Sequence, residues 1–212
     1  IFGTVLTILF CIKYKPAKMR PNLNANNSLF VIPTRAVMGL VILTLSPMLL
    51  ESASIDWSVI YMRDVFSTPP FLNGMAIVMV AFTQFSVRYY ADQFVEIYGS
   101  DKVSKISIIA MFIGVILVFF SNFPYLSLIG FAFIGGGSAV LFPLAMSAAA
   151  QKTDRSAAIN VASLAQISFL VFLLAPPFLG YIAENFGIRI SFGIGLPLIM
   201  LSWLFVSSLK SN

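Results

Sequence analysis

Glu51 lies inside a long apolar run, and it is the residue whose setting most constrains its chemistry. A bare charge at the centre of a membrane-spanning helix costs roughly 2.5–3.5 kcal/mol on insertion scales. Such a residue faces a polar cavity, meets a partner, or carries its proton. Any of these suits a group that takes up and releases a proton or touches a solute; a structural hydrogen bond to a neighbouring helix is the alternative. Pro47, four residues earlier, removes one backbone donor and clashes with the carbonyl of the preceding turn. The resulting kink either exposes carbonyls near the acid, as in the broken helices of transport sites, or serves packing alone.

Further along the same run stand Asp56, Trp57, Ser58, Tyr61, Arg63 and Asp64. Asp56 and Arg63 are seven apart and share a helix face, which suits an outer gate. An interfacial Trp/Tyr belt with a solvated ion pair accounts for the same residues. Arg88 and Asp92, four apart, can pair on one turn; they are a candidate gate or an ordinary helix-end pair. Gln84, Asn160 and Gln166 are uncharged polar residues within apolar runs, available to a substrate or to interhelical hydrogen bonds. Gly135, Gly136, Gly137 and Pro143, then Pro176, Pro177 and Gly180, read as packing and hinge positions. The glycine triplet lacks the Lys and Ser/Thr of a phosphate loop.

Other chemistries find no support. The sequence has no histidine and one cysteine, Cys11, so His-ligated metal, Ser–His or Cys–His catalysis and an internal disulfide are all excluded. No metal cluster, paired catalytic acids or cofactor motif is visible, and neither an enzyme nor a cofactor is expected.

The elements that must position these residues follow from composition. Of 212 residues, 59% are hydrophobic and 10% charged, against about 25% charged in soluble domains. Lipid is the solvent of such a chain, and there only helices or closed barrels satisfy the backbone. Six apolar runs of about the spanning length are expected over residues 36–60, 71–88, 106–120, 125–150, 157–182 and 188–209. Residues 1–12 read as the tail of one more helix, which implies a truncated N-terminus. Residues 13–35 read as a connector between two halves, and 210–212 as a cytoplasmic tail. The net charge of +5 does not point to nucleic acid, because the basic residues sit in loops between apolar runs. With the 13–35 connector placed in the cytoplasm, Lys13, Lys15, Lys18, Arg20, Arg35, Arg88, Lys102, Lys105, Lys152, Arg155 and Lys210 fall inside, and only Arg63 and Arg189 outside. That asymmetry fits the positive-inside rule.

The second run ends Tyr90-Ala91-Asp92-Gln93-Phe94 with Gly99 soon after, and the fifth ends Gly180-Tyr181-Ile182-Ala183-Glu184-Asn185-Phe186-Gly187. An acid after Ala, a Phe and a Gly recur on opposite sides of the membrane, three spans apart, as an inverted three-plus-three repeat would place them.

The stretch Arg88-Tyr89-Tyr90-Ala91-Asp92-Gln93 through Gly99 and Lys102 resembles the loop after the second helix of each half in the major facilitator superfamily. Tyr90 and Gln93 stand where that pattern has Gly and Arg. Glu51-Ser52-Ala53-Ser54-Ile55-Asp56-Trp57-Ser58-Val59-Ile60-Tyr61 resembles the seventh helix of a bacterial branch, mostly transporters of unassigned substrate. The resemblance implies the C-terminal six-helix half of a secondary transporter in the bacterial inner membrane. Such a protein would move a small solute by alternating access with a missing N-terminal half, coupled to protons. A non-transporting sensor or assembly subunit of the same fold is the alternative, and a membrane-embedded enzyme a more distant one.

Overall fold

The computed structural model describes residues 30–209, and all its regular structure is helical. In chain order these are α1 (Arg35–Phe66), α2 (Pro70–Tyr98), α3 (Ser100–Phe120), α4 (Pro124–Ser138), α5 (Leu141–Gln151), α6 (Ala157–Phe186), α7 (Ile188–Gly193) and α8 (Gly195–Leu204), then a 3-10 turn, Val206–Leu209. The N-terminal tail, most of the 13–35 connector with its cations, Cys11 and the 210–212 tail lie outside the described residues.

Five helical units are long and apolar enough to cross a membrane: α1, α2, α3, α4 with α5, and α6. The sixth apolar unit, Ile188–Leu204, is shorter. The chain is thus an all-α membrane protein of five to six spans.

Several helices outrun their expected limits. α1 continues to Phe66, so the polar loop expected at 61–70 shrinks to residues 67–69. This puts Glu51 at the midpoint of α1. The charged stretch 88–105 is not a loop: it is helical on both sides of Gly99, the one residue between α2 and α3. Charge alone does not oppose a helix, and this stretch contains no Pro and one Gly. Gly99 ends α2 at φ +80°, and Gly187 ends α6 at φ +92°. Both lie in the region that glycine enters at least cost, and each turns the chain straight into the next helix.

Two spans are broken, and one rule places both breaks. A proline has no N–H for the carbonyl four residues before it. Pro143 deprives Ala139, which lies in the gap between α4 and α5; Pro197 deprives Gly193, the last residue of α7.

α1 is the central helix. In its most apolar stretch 67% of residues are buried, against 17% for α2 and 22% for α6. It packs on α2, α4, α5, α6 and α8. Tyr61 anchors one end: its ring meets Phe66, Phe131 and Phe192 edge to face at 5.5–5.9 Å, and its hydroxyl donates to the Val118 carbonyl. Polar pairs stitch the other half of the helix, with Thr44 bonded to Ser168 and Ser46 to Ser202, each at 2.8 Å.

At the Arg35 end of α1 a clasp joins the start of that helix to the turn before α6 and to the first turn of α6. Thr34 donates to Asp154, Asn160 donates to the same carboxylate at 2.9 Å, and Arg155 donates to the Ile32 carbonyl at 3.1 Å. The Thr34 hydroxyl holds the Asp154 carboxyl below its usual range. The clasp's carboxylate contribution is therefore present at neutral pH and lost only as acid protonates the folded form.

α4 lies backbone to backbone on its neighbours. A Cβ on Gly130 would stand 2.9 Å from the Gly114 carbonyl oxygen, and one on Gly137 would stand 2.6 Å from that of Ser107. Gly136, in the same triplet, has its nearest neighbour 3.5 Å away. Gly137→Ala should therefore destabilise by about 1–3 kcal/mol, the usual cost of overpacking. Gly136→Ala should be neutral or slightly stabilising. Thermal unfolding of the two variants side by side in detergent checks this.

Candidate functional site: an ion pair at mid-span

The site begins with helix direction. α1 and α2 run antiparallel through the short turn at residues 67–69. Glu51 stands about 22 Å below the turn and Arg88 about 27 Å, at 1.5 Å of rise per residue. Side chains on a helix lean toward its N-terminus, so Glu51 leans down and Arg88 leans up. They meet: Arg88 Nη2 donates to Glu51 Oε1 at 3.4 Å. The Glu51 side chain is only 13% exposed, whereas Arg88 is 50% exposed. The second carboxylate oxygen, Oε2, is buried and has no partner among the described residues. Gln84, one turn from Arg88, lies within reach of the same carboxylate and donates weakly to Ser138 at 3.5 Å.

Arg88 serves a second acceptor. Its Nε donates to the Ala139 carbonyl at 3.1 Å, the carbonyl that Pro143 leaves without a helical donor. The guanidinium therefore stands in for a missing backbone N–H while holding the mid-span acid. Ser52, beside Glu51, does the same for α6. Its hydroxyl donates at 3.0 Å to the Phe172 carbonyl, four residues before Pro176. Orphaned carbonyls in hydrocarbon cost several kcal/mol if left bare, and here neighbouring helices supply the donors.

The remaining expected residues scatter. Arg88 does not pair with Asp92; it turns to Glu51, and Asp92 is exposed. A surface pair on one turn contributes only about 0.2–0.5 kcal/mol, too little to hold Arg88 against a desolvated carboxylate and an orphaned carbonyl. The Asp56–Arg63 gate does not form either: Asp56 is exposed, and Arg63 pairs with adjacent Asp64 at 2.6 Å. Trp57 packs its ring 2.9 Å from where a Cβ on Gly180 would stand, and its indole Nε1 is buried without a partner among the described residues. Asn160 sits in the clasp at the arginine end, and Gln166 accepts from the Val31 N–H at 2.9 Å. Neither joins Glu51. Pro47 lies within α1 without interrupting it, as do Pro176 and Pro177 within α6. A Cβ on Gly135 would stand 2.6 Å from the Val80 carbonyl oxygen of α2.

Residues 35–211 match the sequence profile of the Major Facilitator Superfamily. The chain belongs to that superfamily. It is similar to an uncharacterized MFS-type transporter of Yersinia pestis, at 28% identity over 78% of this chain and 43% of the relative. It is also similar to an uncharacterized transporter of Sinorhizobium fredii, at 29% identity over 77% of this chain and 44% of the relative. The chain thus spans less than half the length of the curated relatives it matches. Membership of this superfamily accounts for the apolar spans. Arg88, Ser52 and Glu51 in this superfamily member join α1, α2, α6 and the α4–α5 gap through one polar layer.

Ser52→Ala should cost about 1–3 kcal/mol by baring the Phe172 carbonyl. In a Pro176→Ala background, where residue 176 again offers an N–H, the same substitution should cost markedly less. Unfolding measurements on the double-mutant cycle read that difference as a coupling energy of about 0.5–3 kcal/mol.

Proposed function

We propose that this chain is the C-terminal six-helix half of a secondary active transporter, which moves a small solute across a bacterial inner membrane by alternating access. In this reading a proton binds at Glu51. The missing N-terminal half supplies the opposite wall of the pathway, and the arginine end of α1 faces the cytoplasm. The observation that carries the reading is the carboxylate itself, held at the midpoint of a spanning helix by a half-exposed arginine.

The chemistry of coupling follows from charge balance. Ionised Glu51 and Arg88 form a neutral pair. When a proton adds to a Glu51 oxygen, the acid becomes neutral and its hold on the guanidinium weakens. The two protonation states thus differ in what they attract at mid-span. A transporter needs such a differential contact if proton binding is to shift one conformation toward another. α2 and α6, the least buried of the five long spans, offer surface to the other half. The orientation is supported by the cations near the arginine end of α1, among them Arg35, Lys152 and Arg155.

The test uses the full-length transporter that contains this chain, reconstituted in vesicles. Imposing a proton gradient should drive solute accumulation in the wild type. Glu51→Gln should reduce that gradient-driven accumulation by about tenfold or more, a loss of at least about 1.4 kcal/mol, while solute exchange at equal pH continues. A Glu51→Gln variant whose accumulation still follows the gradient would remove Glu51 from the coupling.

A further inference from the structure

The break between α4 and α5 and the mid-span acid are bound to one guanidinium. We propose that Arg88 is a positioning residue that transmits the protonation of Glu51 to this break. The inference rests on the reading of Glu51 as the proton site, and adds the element that the proton acts upon.

Four observations carry it. Pro143 removes the donor for the Ala139 carbonyl, so the break has a built-in unsatisfied acceptor. Arg88 Nε fills that acceptor at 3.1 Å, and Nη2 of the same planar group holds Glu51 Oε1 at 3.4 Å. Ala139 and Val140 form a gap between two helices, so the joint they occupy has fewer bonds than a continuous helix. Lastly, Arg88 is half exposed, while Glu51 and Ala139 are enclosed. The guanidinium is thus the movable member, held by two fixed anchors.

Among the described residues no other charge competes at this height; on α1 itself Asp56, five residues along, is exposed. On α2, Asp92 and Glu96 are exposed, one and two turns below Arg88, and neither has an ion pair among the described residues. α4, α5 and α8 bring no charged side chain to α1 and offer serines such as Ser138 and Ser202. The only charge on α6 is Glu184, and the only one on α7 is Arg189. Both lie toward the Phe66 end of α1, where Glu184 lines a cleft with Trp57 and Asp64, and Arg189 covers the Phe66 ring. Ionised Glu51 therefore has Arg88 as its charge partner, and Arg88 has Glu51.

Protonation changes one anchor. With Glu51 ionised, charge attraction keeps the fork in place and Ala139 remains capped. A proton delivered from water to the carboxylate removes that attraction and leaves Arg88 on one neutral carbonyl. The side chain is then free to turn toward the exposed face of α2, and the α4–α5 joint loses its cross-helix donor. No bond other than the O–H of the acid forms.

Backbone hydrogen exchange over the break, around Val140 to Leu144, tests this in the full-length transporter in lipid discs, alongside uptake. After correction for the intrinsic pH dependence of exchange, the wild-type break should open about tenfold more at mildly acid than at mildly alkaline pH. Glu51→Gln should be open at both. Arg88→Lys keeps the charge but has one compact donor group in place of the fork, so its break should be open and indifferent to pH. Pro143→Ala gives residue 143 an N–H, so its break should be closed at both pH values. Uptake that follows pH while wild-type exchange over the break does not would overturn the inference and leave the proton reading standing. So would an Arg88→Lys break with the wild-type pH profile. Uptake indifferent to pH would instead remove the proton reading on which the inference rests.

Discussion

In hydrocarbon a carbonyl that loses its helical donor has no water to turn to, and that constraint organises the middle of this protein. Pro143 and Pro176 each remove a donor, from Ala139 and Phe172. Each vacancy is filled from another helix, by Arg88 on α2 and by Ser52 on α1. These bonds fix how α1 and α2 sit against α4 and α6. They also place both donors next to Glu51, since Ser52 follows it in sequence and Arg88 is its charge partner. Backbone repair and mid-span charge are therefore one polar layer, and neither can be altered without touching the other.

Stability alone does not explain the pair. A buried ion pair can often be replaced by apolar residues at no loss, and α1 has apolar neighbours enough to tolerate that. What the pair adds is a difference between two protonation states. The use of arginine follows from geometry. A lysine ammonium is a compact point charge, whereas the guanidinium fork reaches acceptors in two directions from one rigid plane. Here those acceptors belong to α1 and to the α4–α5 gap, which no single-point donor joins as well.

Much of this was legible in the sequence, and the misses have physical causes. Composition and run length identified a helical membrane protein, and Glu51 stood out because charge is costly in lipid. Its partner was not foreseen. Arg88 was paired with Asp92 because their spacing is visible along the chain, whereas the contact with Glu51 depends on how α2 packs on α1. The stretch from Arg88 to Lys105 looked like a loop because it is charged, yet only Gly99 interrupts its helices. Asn160 and Gln166, open in the sequence to a substrate or to interhelical hydrogen bonds, tie the arginine end of α1 to α6. Counting four residues back from Pro143 and Pro176 names Ala139 and Phe172 as carbonyls needing donors, and a search for donors across helices leads to Arg88 and Ser52.

The two ends of α1 differ from its middle in a way that bears on movement. At the Phe66 end, Tyr61 is locked among Phe66, Phe131 and Phe192, and Arg189 spans from the Phe66 ring to the Phe119 carbonyl. At the arginine end, Thr34, Asp154, Asn160 and Arg155 tie the start of α1 to the turn before α6. A helix fastened at both ends and mostly buried along its length resists sliding as a rod, because packed interiors yield little to small displacements. The α4–α5 gap is different. Its backbone bonds are already interrupted, and part of its support comes from a side chain that one proton can release. In the proposed transport cycle that gap is where the least packing has to be undone, and Glu51 stands beside it on a helix fastened at both ends.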